Sequence, residues 1–200
     1  TVQTTGSQTF AATENLALLG DVNLLSGAGD IVLGSEGSQP KLEGFGNLSI
    51  GDANQTGDVE IYGTGSVLGS LVVGNGSFDI SIDTNQNLTF ANPVDFLNNG
   101  SVSISTGAAE SSCVSFTGGL NATAVSQVNL FGAVKTAGNP INLSTLVLNN
   151  GGGYPYALGV LDTTNGGSAP VGAPITIESL NVSGGDFGFE TGANNVLTLT

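Results

Sequence analysis

The chain has 200 residues, of which 39% are hydrophobic and only 9% charged, so it can fill a core but must face water with Asn, Ser, Thr, Gln and Gly. The formal net charge is −14, and Lys41 and Lys135 are the two basic residues, which excludes binding to nucleic acid or to anionic lipid by phosphate neutralisation. His, Met and Trp are absent and Cys113 stands alone, which excludes an intrachain disulfide and with it the small disulfide-stapled class.

No apolar run reaches the roughly 18 residues that a membrane helix needs, so membrane insertion is not expected. No signal-peptide pattern is visible, and the chain starts at Thr1. A removed leader, or membership of a longer polypeptide, is the expectation, and both agree with export. Cys113, in Ser-Cys-Val-Ser-Phe, reads as a small buried apolar side chain.

From the N-terminus, Thr1-Val2-Gln3-Thr4 reads as a strand, and Thr13 to Leu19 is the best helix candidate, short and stopped by Gly20. Asp79-Ile80-Ser81-Ile82-Asp83 and Ser101-Val102-Ser103-Ile104-Ser105 alternate apolar and polar, as half-buried strands do. Residues 149–174, with Tyr154-Pro155-Tyr156 among them, form a loop-rich excursion, and the pattern returns near Ile175. Leu197-Thr198-Leu199-Thr200 ends the chain as another strand. Gly, at 32 residues, punctuates the short apolar runs.

The runs repeat. Thr5 to Phe10 resembles Asn85 to Phe90, and Gly20 to Ala28 lines up with Gly100 to Ala108. Asp30 to Leu33 then aligns with Cys113 to Phe116. Asp58-Val59-Glu60-Ile61-Tyr62-Gly63 resembles Gln127-Val128-Asn129-Leu130-Phe131-Gly132, and each is followed by a Leu-Val strand. Apolar spacing is kept while polar positions drift, as a core-facing constraint under a permissive surface requires. The expected fold is all-β, a parallel β-helix (β-solenoid) of short strands and Gly/Asn turns, with residues 1–200 as one domain. At about 20 to 25 residues per coil it would have roughly eight to ten coils, and at about 4.8 Å per coil it would be around 40 to 50 Å long. A β-sandwich or jelly roll is the alternative, with the same alternation and turn density.

The stretches "TTGSQTF… GDVNLLSGAGDIVLG" and "GDVEIYGTGSVLGSLVV… TNQNLTFANPVDF" resemble the β-helical repeat regions of large secreted bacterial surface proteins, the filamentous-haemagglutinin-like and autotransporter-like adhesins. The resemblance covers residues 1–148, with an echo at 175–200. It implies a right-handed parallel β-helix serving as a stalk or display rod, and it carries over no catalytic residues.

Without His or Arg, acid–base catalysis would need paired carboxylates or a lysine, and the acids are scattered, so no enzymatic activity is expected. No cofactor is expected either, with calcium as the one ligand to weigh. Asp52, Asn54, Thr56, Asp58 and Glu60 place oxygen atoms at alternate positions with Gly57 sixth, like the start of an EF-hand loop, but Gly63 stands where the bidentate Glu belongs. A polar turn between strands is the plainer reading. Asn-x-Ser/Thr sequons start at Asn47, Asn54, Asn75, Asn87, Asn99, Asn121, Asn142 and Asn181 and are candidate N-glycosylation sites. The two lysines read as solvent-facing.

The function expected is that of a non-enzymatic extracellular structural protein, an adhesin-type rod on a cell surface. The alternative is a self-polymerising, N-glycosylated filament subunit joined by strand addition, with Val2, Thr4, Leu197 and Leu199 in the assembly strands. A carbohydrate- or ice-binding module is a lesser alternative, for which Thr-x-Thr occurs only at the C-terminus. Expected partners are neighbouring repeats or other copies, and a cell-surface or glycan receptor.

Overall fold

The computed structural model describes residues 1–106, 112–149, 159–183, 187–190 and 197–199. The fold is a β-solenoid, and there is no helix among the described residues. The first coil holds β1 (Val2–Gln3), β2 (Gln8–Phe10) and β3 (Asn15–Leu18). The second holds β4 (Val22–Leu25), β5 (Ile31–Leu33) and β6 (Lys41–Gly44), and the third β7 (Leu48–Ile50), β8 (Val59–Tyr62) and β9 (Thr64–Val67). The fourth holds β10 (Leu71–Val73), β11 (Ile80–Thr84) and β12 (Asn87–Phe90), and the fifth β13 (Val94–Asp95), β14 (Ser101–Thr106) and β15 (Cys113–Phe116). The sixth holds β16 (Leu120–Ala122), β17 (Gln127–Phe131) and β18 (Ala133–Lys135). Beyond these six three-stranded coils, the first two strands fuse into β19 (Ile141–Asn149), followed by β20 (Gly159–Asp162). They fuse again in β21 (Ile175–Ser183), followed by β22 (Phe187–Glu190) and β23 (Leu197–Leu199).

Stacking gives three faces. The first runs β1-β4-β7-β10 and continues through β13, β16, the front half of β19, the front half of β21 and β23. The second runs from β2 through β5, β8, β11, β14 and β17 to the back half of β19, and the third is the eight-stranded β3-β6-β9-β12-β15-β18-β20-β22. Every pairing between these strands is parallel, which removes the sandwich alternative, since sandwiches pair antiparallel. The register sets the coil length: Val59 pairs with Ile80, 21 residues on, Ile80 with Val102, 22 on, and Val102 with Val128, 26 on.

Alternation explains the core. Val59, Ile80, Val102 and Val128 stack as one inward column and Ile61, Ile82, Ile104 and Leu130 as the next, all buried. Phe90 and Phe116 stack with ring centroids 5.6 Å apart, and Phe96 meets Phe116 edge-on at 6.0 Å. Residues 13–19 are not helical: Asn15–Leu18 is β3, with Leu16 and Leu18 in register with Leu42 and Gly44 of β6. A neighbouring strand that takes up the backbone N–H and C=O groups outweighs the weak preference of Leu and Ala for helix. Cys113 is buried, with its Sγ 3.3 Å from Asn87 Oδ1.

Corners carry the special residues. Gly20, Gly46 and Gly69 stack between the third and first faces, and Gly6, Gly29 and Gly57 between the first and second. A Cβ on Gly46 or Gly69 would lie well under 3.0 Å from the backbone of the glycine one coil earlier. A Cβ on Gly29 or Gly57 would do the same toward Gly6 and Gly29. The coils approach so closely there that only hydrogen fits.

Candidate functional site

A ladder of polar side chains lines the corner between the first and second faces. Ser7, Asp30, Asp58 and Asp79 occupy one position in successive coils, just before the second-face strand. Ser7 Oγ accepts the Asp30 N–H at 3.1 Å, and Asp30 Oδ1 accepts the Asp58 N–H at 3.0 Å. Asp58 Oδ1 accepts the Asp79 N–H at 3.3 Å, and Asp79 Oδ1 accepts the Ser101 N–H at 2.6 Å. Each side chain thus holds the start of the next coil's strand, as an Asx cap holds a turn. At the corner between the third and first faces, Asp21 Oδ1 accepts the Asn47 N–H at 2.9 Å and Asn47 Oδ1 the Ser70 N–H at 2.8 Å.

Inside the first of these corners lies Gln55, fully buried. Its Oε1 accepts the Ser26 N–H at 3.1 Å, and its Nε2 donates to Gly29 O at 3.0 Å and to Gly57 O at 2.7 Å. One amide therefore locks two coils together. The coil after it fills the same corner with Phe78, and the next with Asn98, whose Nδ2 donates to Phe78 O at 3.0 Å.

This placement bears on the calcium loop. Asp52 Oδ1 accepts the Asn54 N–H at 2.8 Å and Asp58 accepts from Asp79, so two of the carboxylates serve backbone amides. Asn54 and Thr56 are exposed, and Glu60 lies beyond the corner on β8. No three His, Cys, Asp or Glu side chains converge as a metal site among the described residues.

A second acidic group lies at the turn from the second face to the third. Burial pushes the Asp83 carboxyl above its usual range, and Glu36 adds to the rise. The hydrogen bond from Gln39 Nε2, at 3.2 Å, opposes it. Burial also raises the Tyr62 phenol, helped by Glu60, Asp83 and Glu36. Lys41 is engaged elsewhere, 2.5 Å from Glu43, while Lys135 sits on β18, half-buried.

The sequons separate into two sets. Asn54, Asn75 and Asn99 are exposed in the corner segments 51–58, 74–79 and 96–100 of consecutive coils. Asn87, Asn121, Asn142 and Asn181 lie within strands, and Asn47 directly precedes β7 with its side-chain Oδ1 accepting the Ser70 N–H. The Tyr154-Pro155-Tyr156 motif is outside the described residues. From Asp162 to Ala173 the chain is ordered by buried Asp162, which accepts the N–H groups of Thr164 at 2.7 Å and Gly166 at 2.6 Å.

The terminal strands lie at the ends of the stack. β1, β2 and β3 each end a path of paired strands, as β22 and β23 do at the other end. Val2, in register with core Leu24, is 40% exposed, and Thr4 N donates to Leu25 O at 2.9 Å. Leu197 and Leu199 pair through β23 with Ile175 and Ile177. Gln8 takes the inward position that Ile31 and Val59 hold in the next coils. It is 5% exposed, its Nε2 donates to Leu25 O at 2.7 Å, and its Oε1 has no partner among the described residues. Gly6 and Gly20 head the two glycine columns with nothing within 4 Å of where a Cβ would sit.

Sequence patterning missed Gln55 and Gln8, since nothing local marks a Gln as inward. The aspartate ladder was detectable as an Asp or Ser repeatedly preceding a Val or Ile strand. No protein-family model matches the chain, and neither a curated protein nor a solved structure matches it.

Proposed function

We propose that the chain is a non-enzymatic, extracellular structural protein, a rod segment of the adhesin type in which further coils continue the stack. One observation carries this reading: Gly6 and Gly20 are glycine where the chain itself gives no steric reason for it. Neither has a positive φ. Their column mates are glycine because another coil presses on them, so a coil seated on β1–β3 would explain both. It would also cover Val2 and bring a donor within reach of Gln8 Oε1.

The same edge supports a second reading, a filament subunit in which the seated coil belongs to another copy. Such a head-to-tail contact does not close on itself and so gives fibres. Negative-stain electron microscopy with sedimentation analysis of the purified chain separates the two. Discrete short rods favour the segment and long fibres the subunit, while round particles without a rod axis would sink both. The double variant Gly6→Ala/Gly20→Ala would melt no lower than the parent yet form no fibres if copies stack there. Antibody labelling of intact source cells tests surface display.

A further inference from the structure

We propose that the corner between the first and second faces is a glycan-bearing edge, with N-linked oligosaccharide on Asn54, Asn75 and Asn99. The inference rests on the extracellular reading above, because the modification belongs to exported chains. Its three sites combine two properties that no other sequon combines, although Asn87 and Asn181 are exposed as well. Each Asn is exposed, and each lies in a connecting segment between strands rather than in a ladder. In the first two, the hydroxyl residues of the sequon, Thr56 and Ser77, are exposed as well.

The reaction needs the sequon backbone to leave its surroundings and enter a transferase. The amide nitrogen of Asn attacks the anomeric carbon of a polyprenyl-diphosphate oligosaccharide. A C–N bond forms and the C–O bond to the diphosphate breaks. The diphosphate departs with the electron pair, and the amide proton passes to a base of the transferase. At Asn75 this breaks the bond that Gly76 O accepts from the Asn99 N–H. At Asn54 it also draws out buried Gln55 and the Thr56 N–H bonded to Gly27 O, and at Asn99 it frees the Asn99 N–H from Gly76 O and the Ser101 N–H from Asp79 Oδ1. In β12, β16 or β19 it requires opening ladders to the coils before and after, and at Asn181 in β21 the ladder to β19. Asn142 is further protected because the hydroxyl residue of its sequon, Ser144, is 5% exposed. Asn87 Oδ1 already accepts the Cys113 N–H at 3.2 Å, and Asn121 Oδ1 accepts the Thr123 hydroxyl at 3.0 Å.

Neighbouring coils are only about 4.8 Å apart, closer than the width of a sugar chain, so stacked glycans need to diverge. The three segments differ in length, 51–58, 74–79 and 96–100. Glycans on them make a hydrated ridge along a protein whose surface has few charges.

The test uses unmodified chain made in a host without N-glycosylation. The transferase is chosen because it modifies synthetic peptides of all eight sequons. The folded chain is incubated with it and the lipid-linked donor, then mapped by mass spectrometry. The expected result is glycan on Asn54, Asn75 and Asn99, with Asn47, Asn87, Asn121, Asn142 and Asn181 modified only after unfolding in urea. Each of Asn54→Gln, Asn75→Gln and Asn99→Gln should remove one glycan mass. A folded chain left bare while its peptides react would overturn the proposal, and so would equal modification of strand and corner sequons. Neither result changes the rod shape seen by microscopy, so this proposal and the functional reading fail separately.

Discussion

Within a single glycine column, the same substitution should have opposite effects. In Gly46→Ala, the new Cβ would lie well under 3.0 Å from the Gly20 carbonyl, a backbone group that cannot swing aside. Forcing a methyl into a packed site costs about 1–3 kcal/mol, and the upper part of that range applies to an overlap this close. Against it stands about 0.4–1 kcal/mol from the stiffer unfolded chain. The net loss is about 2 kcal/mol, or roughly 4–8 °C in melting temperature for a chain of this size. Gly20→Ala adds the same methyl where nothing lies within 4 Å, so only the unfolded-state term remains and the variant gains about 0.4–1 kcal/mol. Thermal and urea unfolding followed by circular dichroism would compare both with the parent. A Gly46→Ala variant as stable as the parent, or a Gly20→Ala variant as damaged as Gly46→Ala, would refute the stacking argument.

Other perturbations probe other parts of the stack. Gln55→Leu leaves the Ser26 N–H and the Gly29 and Gly57 carbonyls without this partner; at about 1–3 kcal/mol per orphaned group, urea titration should register at least about 2 kcal/mol of lost stability. Phe116→Ala empties the aromatic cluster and should cost about 3–5 kcal/mol, measured the same way. Asp83 has a raised pKa, so the folded chain holds its proton more tightly than the unfolded chain does. The unfavourable contribution is complete above the raised value and fades as pH falls through it toward the ordinary 3.8. Asp83→Asn should therefore be more stable than the parent at pH 7 and lose that advantage in acid; an unchanged pH profile would contradict the assignment. Millimolar calcium should leave the melting temperature unchanged, because Asp52 and Asp58 are turned to backbone amides. A calcium-specific rise that Asp58→Asn abolishes would overturn that expectation.

The solenoid was legible because apolar alternation and glycine punctuation are local. Strand position within the coil was not. Asp58 to Tyr62 and Gln127 to Phe131 were matched correctly, as β8 and β17 share the second face. Thr5 to Phe10 and Asn85 to Phe90 were matched across faces, since β2 belongs to the second face and β12 to the third. All three faces use the same apolar–polar–apolar grammar, so resemblance alone does not identify the face. Face identity lies in corner length and in what fills the corner, and Gln55, Phe78 and Asn98 share no residue type. The sequons were readable as a motif, but their alignment along one edge depends on coil lengths that vary from 21 to 26 residues between Val59 and Val128.

The parallel ladders also give the molecule a mechanical character. A pull on both ends does not load the coils equally, because the outermost coil is held by neighbours on one side only. It would peel before the next one yields. A coil such as that from Ile80 to Val102, 22 residues long, frees about 70 Å of extended chain while shortening the rod by only about 4.8 Å. A solenoid built this way lengthens in steps under load and keeps its remaining coils intact.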